Sequence, residues 1–117
     1  VSSAVSFEMD AAVRALTVDP TPMLNVYRAR RERVLAALDD MGLDVVGPAG
    51  AFYTFPSIKK FGLTSEDFCI KAIEEANVAL VPGDCFGTEG HVRLSYCVSD
   101  KDLDEGLRRL STFLSTL

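Results

Sequence analysis

The sequence predicts a small α/β protein, an α+β two-layer sandwich in which helices cover one side of a short mixed or antiparallel sheet. Three features of the chain carry that expectation. Leu103, Leu107, Leu110, Leu114 and Leu117 recur at spacings of three and four, the period of a helix with one buried face. Phe52-Tyr53-Thr54-Phe55 and Val92-Arg93-Leu94-Ser95-Tyr96 have the β-branched and aromatic composition of strands. Gly47-Pro48 and Pro82-Gly83 punctuate the chain between periodic stretches. The resulting order is helix, helix, strand, strand, helix, strand, strand, helix.

From the N-terminus, Val5, Met9, Ala12, Val13 and Leu16 form a weak helical stripe that needs more protein to pack against. Thr17 to Pro22 breaks it with two prolines among polar residues. Thr21 is then expected to cap a helix, with Pro22 at its first position. That helix runs to about Met41 and buries Leu24, Tyr27, Val34, Leu38 and Met41, with Arg28 and Glu32 paired on its outer side and Gly42 past its end.

Leu43-Asp44-Val45-Val46 is a short strand candidate. In the aromatic strand that follows, Phe52 and Phe55 are expected in the core, while the Tyr53 hydroxyl needs a partner if buried. Ser57 to Leu63 reads as a loop. Thr64 and Asp67 have capping-box spacing, and the helix after them is expected to bury Phe68, Ala72, Ile73 and Ala76 and to end at Asn77. Val78-Ala79-Leu80-Val81 is the next strand. In the last strand, Val92, Leu94 and Tyr96 share one face and Arg93, Ser95 and Cys97 the other. Ser99, with Asp102 three residues on, caps the final helix, and Arg108 and Arg109 face water or another piece of protein.

At 117 residues the chain has the size of one domain, and 48% hydrophobic with 25% charged residues excludes a disordered polymer. No run of 18 apolar residues exists to cross a membrane. A net charge of -5 argues against nucleic acid as a partner, and Arg28, Arg30, Arg31 and Arg33 read as the wet side of a helix. Cys69, Cys85 and Cys97 are odd in number and far apart, so reduced thiols packed as small hydrophobes, in a cytoplasmic setting, are expected instead of disulfides or a metal site. The opening Val1-Ser2-Ser3-Ala4-Val5 lacks the basic-then-apolar order of a signal peptide and an initiator methionine, which fits a processed or truncated chain.

The most informative stretch is Val81-Pro82-Gly83-Asp84-Cys85-Phe86-Gly87, which leads through a glycine-rich turn into the arginine-bearing strand. Three glycines in eight positions mark a shaped loop, but the Gly-Lys-Ser/Thr of a phosphate-binding loop does not follow. An arginine held beside such a loop can grip a carboxylate through two parallel hydrogen bonds. On periodicity alone, a solvent-facing Arg93 or one paired with an acidic neighbour is the commoner reading of a strand arginine.

Taken together, these segments closely resemble the C-terminal part of fold-type I, pyridoxal-phosphate-dependent aminotransferases of class I/II. The resemblance rests on four motifs in order: Arg30-Arg31-Glu32-Arg33, Pro48-Ala49-Gly50-Ala51-Phe52-Tyr53-Thr54-Phe55, Val78-Ala79-Leu80-Val81-Pro82-Gly83 with Phe86-Gly87, and Val92-Arg93-Leu94-Ser95-Tyr96. It implies a small domain over residues 20–117, with residues 1–19 as the end of a large domain and a linker. It implies that Arg93 binds the α-carboxylate of an amino acid or 2-oxo acid, that Gly83, Phe86 and Gly87 shape the loop above the cleft, and that Tyr53 and Ser95 lend support. His91 is expected to be a plain turn residue. The family's cofactor lysine, the aspartate that pairs with the pyridine nitrogen and the main phosphate-binding groups belong to the large domain. Lys59, Lys60, Lys71 and Lys101 do not match that lysine motif, so no catalytic, cofactor-binding or metal-ligating residue is expected in this chain. The parent is expected to be a homodimer using pyridoxal phosphate, and the isolated piece to be inactive. Another reaction of the same cofactor, or a free-standing non-enzymatic α/β binding module, are the alternatives.

Overall fold

The computed structural model describes residues 4–117. The described residues form four helices and a three-stranded antiparallel sheet: α1 Ser6–Ala15, α2 Thr21–Asp40, β1 Tyr53–Thr54, α3 Ser65–Ala76, β2 Val81–Pro82, β3 Val92–Ser95 and α4 Asp100–Leu114. The sheet order is β1-β3-β2, with Tyr53 opposite Ser95, Thr54 opposite Leu94, and Val81 opposite Arg93. The arginine strand is therefore the central one.

Helix boundaries follow local chemistry. The Thr64 hydroxyl accepts the Asp67 amide at 3.1 Å and the Ser99 hydroxyl accepts the Asp102 amide at 3.1 Å, each satisfying an orphan donor of a first turn. Asn77, at φ 55°, ends α3 in the left-handed conformation that asparagine tolerates. At α2, Asp19 replaces the expected Thr21 cap, because its carboxylate accepts the Thr21 amide at 2.9 Å while Thr21 is already helical.

One apolar layer joins the sheet to α2, α3 and α4. It contains Val34, Leu38, Phe68, Ala72, Val92, Leu94, Tyr96, Leu103, Leu107, Leu110 and Phe113. Several expectations are corrected here. Leu43–Val46 forms no strand; Leu43 is buried but Val46 is exposed, and the segment is tied in through the Ser57 amide, which donates to the Asp44 carbonyl at 2.8 Å. Phe52 is exposed and Phe55 half-buried, because the inward register of β1 is taken by Thr54. Leu24 and Ile73 are exposed; the buried face of α3 instead passes through Ser65, Phe68, Cys69 and Ala72. The loop of residues 57–63 holds the fully buried Ile58 and a 3-10 turn over Lys59–Phe61. In α4 the buried position near the end is Phe113, while Leu114 is half-buried and Leu117 exposed, as the 3.6-residue period moves the stripe around the helix. Cys85 and Cys97 are exposed free thiols, and only Cys69 packs as a small hydrophobe, with burial pushing its thiol up to about 11.

The arginines of α2 are not all on its wet side. Arg30, half-buried, binds Asp100 at 2.7 Å, and Arg33 binds Asp104 at 3.1 Å, so α2 is fastened to the first turns of α4. Arg31 is half-buried, with its Nε lacking a partner among the described residues. Arg28 donates to Asn25 instead of pairing with Glu32.

Helix α1 buries nothing, and Phe7, Val13 and Leu16 are largely exposed. The radius of gyration, 17.3 Å, exceeds the roughly 13 Å of a compact chain of this length, as an extended helical arm requires.

Thr54 is 2% exposed and its hydroxyl has no partner among the described residues. An unmet buried hydroxyl is unfavourable by about 1–3 kcal/mol, and valine has nearly the same shape. Thr54→Val is therefore expected to stabilise the fold by about 1 kcal/mol, read as a shift in urea midpoint with unchanged slope.

Candidate functional site

Alternation along β3 sorts its side chains into two sets. Val92, Leu94 and Tyr96 are buried toward the helices, whereas Arg93, Ser95 and Cys97 lie on the opposite face. Across the sheet, Tyr53 and Val81 occupy the positions that share the outer face with Arg93.

The Arg93 guanidinium carbon lies 4.4 Å from the centre of the Tyr53 ring and 4.6 Å from that of Phe86. Both are cation–π distances. Phe86 meets Phe55 edge-on at 6.0 Å, and Phe55 stacks on His91 at 5.4 Å with the planes 10° apart. His91 is thus part of an aromatic cluster, a correction to its reading as a plain turn residue. Among the described residues Arg93 forms no ion pair. A half-buried cation, backed by rings that accept no proton, keeps its N–H donors free for an outside acceptor.

The loop is shaped as follows. Gly83–Phe86 forms a 3-10 turn that Gly87 closes at φ 68°, a left-handed conformation that suits glycine. The Gly83 amide donates to the His91 carbonyl at 2.8 Å, and the Thr88 amide donates to the Gly83 carbonyl at 3.0 Å. A Cβ on Gly83 would lie 2.3 Å from the Thr88 oxygen and 2.5 Å from the His91 oxygen, so no side chain fits without moving backbone. Phe86 is brought against Arg93, and Gly83 and Gly87 bound the turn that carries it. Ser95 is exposed, and its hydroxyl accepts the Cys97 amide at 3.3 Å.

The loop is also latched to α3, a feature that sequence reading missed. The Glu89 carboxylate accepts the Ser65 amide at 2.6 Å and the Ser65 hydroxyl at 2.7 Å, and the Asp84 amide donates to that hydroxyl at 3.3 Å. Hydrogen bonds from the Ser65 hydroxyl and amide, then from the Gly90 amide, hold the Glu89 carboxyl below its ordinary value. A glutamate facing a first-turn serine across 24 residues leaves no local spacing to read. The latch contributes stability above the ordinary value of 4.5 and loses it as pH falls through the lowered folded value. Glu89→Gln is therefore expected to lower Tm at neutral pH, with the gap closing in acid. A gap that stays constant between about pH 3 and pH 7 would contradict the latch.

Two of the lysines are engaged elsewhere. Lys60 donates to the Met41 and Gly42 carbonyls at 3.0 and 2.6 Å, and Lys71 pairs with Glu75 at 3.1 Å. The donor set around Arg93, one cation backed by aromatic rings, suits a planar anion such as a carboxylate. A separate groove of about 410 Å³ lies between residues 77–80, β3 and α4, and Arg93 does not line it. Its Glu105 is already taken by Arg108 and Arg109, which hold the carboxyl at about 2. Among the described residues no group of side chains could hold a metal, and no helix is long and apolar enough to cross a membrane.

A two-layer domain with an arginine presented on the sheet's outer face is the structural class. Comparison with known proteins gives the family. The sequence pattern described as "Aminotransferase class I and II" matches residues 11–110. The chain is 50% identical, over 97% of its length, to a probable N-acetyl-LL-diaminopimelate aminotransferase of Bacillus subtilis. Its fold superposes on the aspartate aminotransferase of Thermotoga maritima with a TM-score of 0.84 at 40% identity over 90% of the chain. For an aspartate aminotransferase of Thermus thermophilus solved with maleate, the TM-score is 0.70 at 38% identity over 74% of the chain. The chain belongs to the class I and II aminotransferase family. It spans 30%, 27% and 22% of those proteins' lengths, respectively.

Proposed function

We propose that residues 20–117 are the C-terminal small domain, and residues 1–19 the end of the large domain and a linker, of a pyridoxal-phosphate-dependent aminotransferase that moves an amino group between an amino acid and a 2-oxo acid. In this reading Arg93 is the substrate-binding residue. The observation that carries it is the guanidinium on the outer face of the central strand, backed by Tyr53 and Phe86 and free of any ion pair among the described residues. The maleate with which the Thermus thermophilus relative was solved is a dicarboxylate, the ligand chemistry this arrangement suits.

Arg93 holds the carboxylate through a planar fork and so orients the amine or carbonyl end of the substrate. The loop of Gly83, Phe86 and Gly87 borders that position and limits water around the ion pair. When bound, pyridoxal phosphate supplies the electron sink and amino-group carrier, and its holding residues belong to the rest of the protein. The exposed apolar residues of α1 and its C-cap support a large domain packed there: Phe7 is 70%, Val13 67% and Leu16 88% exposed. A cytoplasmic homodimer completes the proposal.

The test is an assay of the complete protein, supplied with pyridoxal phosphate, against a panel of amino acids with a 2-oxo acid acceptor. Amino-group transfer by the complete protein and silence of the 117-residue chain are expected. Elimination or decarboxylation products without transfer would assign another reaction to the same carboxylate site.

A further inference from the structure

We propose that Tyr53 and Phe86 are positioning residues for Arg93: their rings hold the guanidinium in a fixed plane, so that a carboxylate meets a donor edge already aimed. The inference rests on the reading of Arg93 as the carboxylate site and adds to it what fixes the arginine.

An arginine side chain free in solvent samples many rotamers, and binding must immobilise it. Here that ordering is in place before any ligand arrives. The guanidinium lies 4.4 Å from the Tyr53 ring and 4.6 Å from the Phe86 ring, and it has no ion pair among the described residues to orient it instead. The two rings come from different parts of the chain. Tyr53 is fixed by β1, whose register places it beside β3. Phe86 is 47% exposed, so burial in the core is not what holds it. Its position is set by the edge contact with Phe55 at 6.0 Å and by the turn that the Asp84–Ser65 hydrogen bond, 3.3 Å, fastens to α3. A side chain that shields one arginine and buries little else is explained by that arginine.

Aromatic faces contact the guanidinium through its π surface and leave its N–H edge to the ligand. Because the rings act through Arg93, their removal is expected to weaken binding of substrate and transition state alike, which raises KM and spares kcat.

The complete, cofactor-loaded enzyme is assayed for KM and kcat. Phe86→Leu and Tyr53→Leu are each expected to raise the amino-acid KM about fivefold, with kcat within about twofold of wild type. Phe86→Tyr and Tyr53→Phe keep a ring and are expected to keep the wild-type KM, which a role for the Tyr53 hydroxyl would not allow. Arg93→Lys serves as the control on the underlying reading. If it raises KM while both leucine variants leave KM unchanged, the ring clamp is overturned and the carboxylate site stands. If Arg93→Lys leaves KM unchanged, the site itself is wrong and the clamp falls with it. The Arg93 Nε–H proton resonance in the unliganded enzyme reads the clamp independently of turnover. Ring currents are expected to hold it upfield, and loss of that shift is expected in Phe86→Leu and Tyr53→Leu but not in the ring-preserving variants. A resonance unmoved by both leucine variants overturns the proposal.

Discussion

Arg93→Ala in the complete enzyme is expected to lower kcat/KM about a hundredfold to a thousandfold and to leave cofactor loading intact. The size follows from what is removed. A charge-assisted, two-point contact to a carboxylate in a partly desolvated site is worth about 3–4 kcal/mol when one partner is truncated. Among the described residues no lysine and no second arginine belongs to the cluster of Tyr53, Phe55, Phe86 and His91 around Arg93. Arg93→Lys is expected to recover only part of the loss, since an ammonium supplies charge without a planar fork. Steady-state kinetics checks the first statement and the absorbance of bound pyridoxal phosphate the second. A variant that loses cofactor while its substrate KM holds would move Arg93 out of the substrate site.

Gly83→Ala is expected to be the most damaging change of a single methyl group. The new Cβ would stand 2.3 Å from the Thr88 oxygen and 2.5 Å from the His91 oxygen, and both are backbone atoms that cannot rotate away. Relief requires breaking the Gly83–His91 and Thr88–Gly83 hydrogen bonds, which are 2.8 and 3.0 Å long. Overpacking of about 1–3 kcal/mol and two hydrogen bonds of about 1 kcal/mol each place the effect at about 3–5 kcal/mol. Because the same loop carries Phe86, the rise in substrate KM is expected to exceed that of Phe86→Leu. Chemical denaturation measures the stability loss. A variant with wild-type midpoint and KM would show that the loop has more room than these contacts allow.

Much of the fold was legible because it is written in local patterns. The leucine spacing in α4, the Thr64 and Ser99 caps and the end of α3 at Asn77 each depend on residues within one or two turns. The alternation of β3 correctly separated Arg93 from Val92, Leu94 and Tyr96. Burial in the aromatic strand was not legible, since Phe52 and Phe55 are more apolar than Thr54, yet β1 pairs in the register that turns Thr54 inward. Leu43–Val46 has strand composition but no strand to pair with, and pairing is a tertiary fact. At the site, the residue types around Arg93 were visible and its company was not. The contact of Tyr53 with Arg93 joins positions far apart in the chain, and the Glu89–Ser65 latch spans 24 residues with no periodic signal between them. The partners of Arg30 and Arg33, Asp100 and Asp104, lie 70 and 71 residues away, which is why the charged face of α2 reads as wet from sequence.

The carboxylate assignment is tested most directly by pairing a ligand deletion with a side-chain deletion. The complete enzyme and its Arg93→Ala variant are each assayed with a preferred amino acid and with the corresponding α-carboxamide, which keeps the shape and removes the charge. Wild-type enzyme is expected to favour the acid by about a hundredfold or more in kcat/KM, and the variant to treat the two alike within a few-fold. A variant that still favours the acid by the wild-type margin would show that the carboxylate is bound elsewhere.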